Sequence, residues 1–114
     1  MFTKELTGAC SAPVILGIIA RGDSYGYQIL QDLKNLSGGK LNWADGMIYP
    51  VLRKLEKQTL LDSYWHQPES GRKRRYYKLT KKGYSSLSAE QSQWRSANDI
   101  LEKIWNNQLD PKTV

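Results

Sequence analysis

A chain of 114 residues has room for one domain, or one domain plus an arm, and can bury a core without disulfide or metal staples. Its 17 Lys and Arg against 11 Asp and Glu leave a formal net charge of +6, which points to a polyanion, nucleic acid or an anionic membrane surface, as partner. Its lone cysteine, Cys10, and lone histidine, His66, exclude an intrachain disulfide and a zinc site made from this chain's Cys and His alone. A reducing, cytoplasmic setting and the absence of any cofactor are the expectation. The longest apolar stretch, Val14 to Ala20, is far short of the ~20 residues that a bilayer requires. Gly17 interrupts it and Arg21-Gly22-Asp23 offers no small-residue cleavage site, so it does not read as a signal peptide.

In chain order, a first helix is predicted from Glu5 to Ala20, with Val14, Ile15, Ile18 and Ile19 on one face. Pro13 falls within that pattern, so the helix starts near it or kinks there. Arg21-Gly22-Asp23-Ser24 is a turn, and Ser24 or Asp23 can cap a second helix from Tyr25 to Leu36. That helix buries Ile29, Leu30, Leu33 and Leu36 and stops at Ser37-Gly38-Gly39. Leu41 marks a short strand. A third helix follows from Asp45 to Gln58, with Ile48, Val51, Leu52 and Leu55 inward and Tyr49, Arg53 and Lys57 outward, Lys54 beside them. Pro50 implies a kink or a later start. Leu61 to His66 and Arg74 to Leu79, rich in Tyr and Trp, read as strands around a Gln67-to-Gly71 hairpin loop. Thr80 caps a last helix running to about Trp105 or Asn107, and Asp110-Pro111 ends the ordered chain.

The hairpin is the most informative segment. Four consecutive cations, Arg72 to Arg75, sit at its tip, and Lys78, Lys81 and Lys82 follow with no Asp or Glu between Arg72 and Lys82. Such a tip repels itself and attracts phosphates, whose neutralisation releases condensed counterions. The competing reading is a merely solvated charge run. Membrane binding would need the cations on an amphipathic helix instead of a hairpin. Enzyme chemistry finds no support: there is no paired-carboxylate spacing, phosphate-cradling Gly loop or nucleophile-base set.

Helix, helix, helix, hairpin, long helix is the parts list of a winged helix-turn-helix, a mainly α (α+β) fold. Residues 1–79 form its three-helix core and β-hairpin wing, 80–108 a long C-terminal dimerisation helix, and 109–114 a disordered tail. In the last helix Leu87, Trp94, Ala97, Leu101 and Ile104 make an apolar seam, spaced three, four and three from Trp94 onward. A second copy of the chain would cover it. The alternative is that the helix folds back on its own domain. A C₂ dimer would set two third helices ~34–36 Å apart, which suits a pseudo-palindromic operator. Two facing Trp94 rings could hold a small aromatic effector by stacking, against the plainer reading of seam packing.

The segments Gly22-Asp23-Ser24-Tyr25-Gly26-Tyr27-Gln28-Ile29, Gly46-Met47-Ile48-Tyr49-Pro50-Val51-Leu52-Arg53-Lys54-Leu55-Glu56 and Gly71 through Gly83 resemble the PadR family of bacterial transcriptional regulators, in its short-form subgroup. The resemblance implies a homodimeric repressor that small aromatic effectors release from double-stranded DNA. It assigns DNA contacts to Tyr27, Tyr49, Arg53 and Lys54 and, in the wing, to Gly71, Arg72, Lys73 and Arg74, and an effector contact to Trp94. The alternative is an effector-independent DNA- or RNA-binding winged-helix module. Two positions depart from the family pattern. Thr59 replaces a Gly after the third helix, and Thr disfavours the left-handed backbone of a Gly cap, so an altered helix exit is expected. Met47 replaces a small hydroxyl residue, which argues against a polar contact there.

Overall fold

The structure, a computed structural model, describes residues 2–107. Helix α1 (Lys4–Ala20) starts one residue earlier than the periodicity suggests, because the Thr3 side chain accepts the Leu6 N–H at 3.1 Å and caps it. The helix continues through Pro13, and its buried residues, Ile15, Leu16, Ile18 and Ile19, all follow the proline. Helix α2 (Gly26–Leu36) is capped by neither Ser24 nor Asp23. Tyr25 occupies the cap position in extended backbone and makes no side-chain cap bond. Ser24 is engaged elsewhere: its N–H donates to the Tyr77 carbonyl at 3.1 Å and its carbonyl accepts the Tyr77 N–H at 2.7 Å. This single bridge lays the α1–α2 turn along the hairpin. Gly38 (φ +64°) and Gly39 (φ +82°) turn the chain out of α2, and the Gly39 N–H closes on the Lys34 carbonyl at 2.8 Å.

Leu41 forms no strand. Its N–H donates to Ser37 Oγ at 3.0 Å, and its side chain leans half-buried on the core. Helix α3 (Asp45–Lys57) starts where its sequence pattern begins and runs through Pro50, so the later start does not occur. Ile48, Leu52 and Leu55 point into the core together with Ile15, Leu16, Ile29, Trp43 and Leu61. Strands β1 (Leu61–His66) and β2 (Arg74–Leu79) pair antiparallel, from Leu61 opposite Leu79 to His66 opposite Arg74.

The exit of α3 keeps the geometry of a Gly cap without the Gly. Thr59 adopts φ +63°. Its N–H reaches the Glu56 carbonyl at 2.9 Å, and the Leu60 N–H reaches the Leu55 carbonyl at 3.0 Å, the paired bonds of a Schellman motif. The expected altered exit is therefore wrong. A left-handed β-branched residue is costly and persists only where its surroundings over-determine it. Here they do. Thr80 Oγ1 donates to the Thr59 carbonyl at 2.7 Å, the Thr80 N–H donates to the Leu60 carbonyl at 3.1 Å, and Lys82 Nζ donates to the Gln58 carbonyl at 3.2 Å.

Thr80 also caps α4 (Lys81–Asn107), accepting the Gly83 N–H at 3.0 Å. Gly83 is buried, and a Cβ there would sit 2.2 Å from the Leu60 carbonyl oxygen. The first turn of α4 thus rests directly on the α3 exit. Farther along α4, Leu87 joins the core cluster. The 27-residue helix, ~40 Å long at 1.5 Å per residue, gives the chain extents of 65 × 29 × 20 Å. The expected tail from 109 onward lies outside the described residues.

Candidate nucleic-acid interface

Between α3 and the hairpin lies an open groove of about 1570 Å³. The α3 pattern that buries Ile48, Leu52 and Leu55 turns Tyr49, Arg53, Lys54 and Lys57 outward into it. The hairpin delivers Arg72 to Arg75, and the start of α2 adds Tyr25 and Tyr27. Seven cations (Arg53, Lys54, Lys57, Arg72, Lys73, Arg74, Arg75) therefore share the groove with a single carboxylate, Glu56. Arg75 pairs with that carboxylate at 3.4 Å and also donates from Nε to Ser63 Oγ at 3.1 Å. Ser63 Oγ in turn donates to Glu56. With Arg75 neutralising Glu56, the other cations face solvent as an uncompensated positive field, which suits a polyanion and not an apolar or cationic ligand.

The wing is stiffened by its aromatics. Tyr76 stacks on Tyr64 (5.7 Å, 18°) and meets Tyr25 and His66 edge-on at 5.1 and 5.3 Å. The Arg74 guanidinium lies 4.4 Å from the Tyr25 ring centroid, so it is aimed and not loose. Tyr64 donates its hydroxyl to Asp23 Oδ2 at 2.7 Å. That bond, followed by desolvation, pushes the Tyr64 phenol up to about 12. Burial raises the Tyr77 phenol. Tyr49, although 44% exposed, rests its ring on Gly26, where a Cβ would come within 2.8–2.9 Å of the phenol. The glycine lets α2 and α3 approach and fixes the angle at which Tyr49 leaves α3.

The profile of the transcriptional regulator PadR-like family matches residues 15–89, from the last turns of α1 through the hairpin to the first turns of α4. The chain belongs to the PadR-like family. A protein of Lysinibacillus sphaericus carrying the name uncharacterized protein X is 30% identical over 89 residues, covering 78% of this chain and 82% of the relative. Transcriptional regulator YqjI of Escherichia coli (strain K12) is 35% identical over 80 residues, and the match spans 70% of this chain but only 37% of that protein. The crystal structure of a PadR family transcriptional regulator from Eggerthella lenta superposes with a TM-score of 0.76 at 29% identity, over 89% of this chain and 86% of that one. The fold is the family's winged helix-turn-helix with a long C-terminal helix.

In this PadR-like regulator the groove gathers Tyr27, Tyr49, Arg53, Lys54, Arg72, Lys73 and Arg74. Gly71 lies at the hairpin turn, its N–H bonded to the Pro68 carbonyl at 3.1 Å, and is not in the groove lining. Met47 is 44% exposed. Trp94 lies apart on α4, half-buried, with Nε1 donating to Glu90 Oε2 at 3.0 Å. The seam divides: Leu87 is buried in the core of its own chain, whereas Ala97, Leu101 and Ile104 are exposed. Sequence reasoning named Arg75 only as part of the cation run and passed over Tyr25, Trp65 and the Glu56 and Ser63 partners of Arg75. Strand alternation puts Ser63, Trp65, Arg75 and Tyr77 on one face but does not tell an exposed Trp from a buried one, and Tyr25 and Glu56 lie outside the strands. Among the described residues no helix is long and apolar enough to cross a membrane, and no cluster of three or more His, Cys, Asp or Glu could hold a metal ion.

Proposed function

We propose that this PadR-like regulator is a homodimeric, sequence-specific repressor, working in the cytoplasm on a pseudo-palindromic double-stranded DNA operator and released by a small aromatic effector. The observation that carries the reading is the groove in which one self-neutralised Glu56–Arg75 pair is surrounded by unpaired cations from two separate elements. Residues 1–79 serve as the DNA-binding domain and 80–108 as the dimerisation helix. Helix α3 enters the major groove. Arg53 reads guanine bidentately while Tyr49, Lys54 and Tyr27 hold phosphates and set register. Arg72, Lys73 and Arg74 take the phosphates beside the neighbouring minor groove, with Gly71 letting the wing tip approach closely.

Dimerisation is supported by the exposed apolar residues Ile100, Leu101, Ile104 and Trp105 of α4, which with Trp94 and Ala97 continue a coiled-coil spacing that their own domain leaves uncovered. Leu87 is spent on the intrachain core, so the proposed interface begins at Trp94. An effector held by the two Trp94 rings releases DNA only by binding the DNA-incompetent dimer more tightly than the competent one.

The test is fluorescence-polarisation binding to the DNA upstream of this protein's own gene against scrambled duplex across a salt series. Preference of at least ~10³-fold for the upstream piece is the expected result. Equal affinity for both duplexes counts against sequence-specific autoregulation. An aromatic ligand that quenches Trp94 yet leaves operator affinity unchanged removes the effector from the mechanism.

A further inference from the structure

Trp65 is a large ring that the fold does not use. It stands next to last in β1, opposite Arg75, and is 58% exposed. Its neighbours on the same face behave differently, since Tyr77 is buried and Ser63 is tied to Glu56. The ring faces the groove. Lys73 Nζ lies 5.6 Å and the Arg75 guanidinium carbon 5.9 Å from its centroid. Arg75 is anchored by Glu56 and Ser63, so the indole stands beside a fixed cation, on a paired strand, in a defined place.

An apolar ring bordered by cations makes a poor site for an apolar protein face, whose approach would strand the charges. It makes a good site for a polymer that alternates negative groups with flat or apolar surfaces. Nucleic acid has that alternation: phosphates for Lys73 and Arg72, and deoxyribose and base surface for the indole. We propose that Trp65 is a DNA-contacting residue, the non-ionic anchor of the wing, laying its indole on deoxyribose and base surface at the minor groove next to the phosphates that Arg72 and Lys73 neutralise. This rests on the DNA-binding reading above. Its distinctive consequence is that Trp65 contributes affinity without releasing counterions, unlike every cation around it.

The experiment uses the full-length protein and a duplex enriched from a randomised pool by the wild-type chain. Trp65→Ala is expected to weaken binding about 10- to 100-fold with the slope of log affinity against log salt unchanged, and Trp65→Phe to recover most of the loss. Arg72→Ala, as control, should reduce that slope by about one. Adding the duplex should quench indole emission in the wild type and far less in Trp65→Phe, a readout that a merely structural role would not move. Wild-type affinity in Trp65→Ala overturns the assignment and leaves DNA binding standing. A Trp65→Ala loss accompanied by a shallower slope also overturns it, because the ring would then act only by positioning Lys73 and Arg75. A wild-type chain that enriches no duplex removes the DNA-binding reading and this inference with it.

Discussion

The two ends of α4 belong to one helix and have opposite surroundings. At its start, Gly83 is pressed against the Leu60 carbonyl, Thr80 bridges to Thr59, and Leu87 enters the core. At its far end Ile100, Leu101, Ile104 and Trp105 are 43–57% exposed. Both ends carry apolar residues at helical spacing, yet only the first is covered by its own chain. The difference teaches that periodicity marks which residues want cover, while tertiary contacts alone say which body supplies it.

The substitution that strains this comparison most is Gly83→Ala. Its new methyl would meet backbone, which cannot rotate away, so a loss of about 3 kcal/mol is expected in urea unfolding. A loss under ~1 kcal/mol would mean that the α3–α4 junction is loose. Leu87→Ala should cost roughly 2–4 kcal/mol, whatever the protein concentration. Ile104→Ala should instead leave unfolding of the dilute chain nearly unchanged and weaken self-association about tenfold in sedimentation velocity. Equal behaviour of the two variants would erase the distinction between the two ends.

Thr59→Gly sharpens the picture at the junction. It removes the cost of a β-branched residue at φ +63°, offset by the greater freedom of glycine in the unfolded chain, so a gain of about 0.5–1 kcal/mol is expected in the same unfolding assay. The smallest effect belongs to the wing base. The Tyr64 phenol rises from 10.0 to about 12 in the folded chain, chiefly through its bond to Asp23. A raised phenol contributes stability that is fully present below pH 10 and is lost as the pH climbs towards 12. Tyr64→Phe should flatten that high-pH decline in melting temperature and remove the late phenolate in an absorbance titration. An unchanged titration would place the late phenolate on another tyrosine.

Most of the fold was legible because its signals are local. The apolar spacing of Ile48, Leu52 and Leu55, the Gly38-Gly39 stop and the alternation in the two strands each act within a few residues. The Thr80 cap was legible for the same reason. What failed was decided at a distance. Ser24 looks like a cap by composition, but Tyr77 takes its backbone. Thr59 looks incompatible with a left-handed exit until Thr80 and Lys82 hold it there. Leu87 reads as a seam residue until α4 is seen on the core. Of the groove, the cations were visible as a run. Trp65 was not, because a Trp in a strand counts equally well as a core residue until its exposure is known.

The closure at Leu60 and Thr80 has a consequence for how such a chain can diverge. The hairpin leaves and returns at Leu60 and Thr80, where α3 and α4 are joined. Its stem is tied to Glu56 of α3 by Arg75 and Ser63 and to the α1–α2 turn by Tyr64 and Tyr77, whereas its tip is not part of these bonds. Lengthening or re-sequencing residues 67–73 therefore perturbs neither helix, and the cost of a longer loop grows only slowly with its length. The hairpin tip is thereby decoupled from the stem that is tied down, so it can change in length and sequence while α3 and α4 keep their mutual angle.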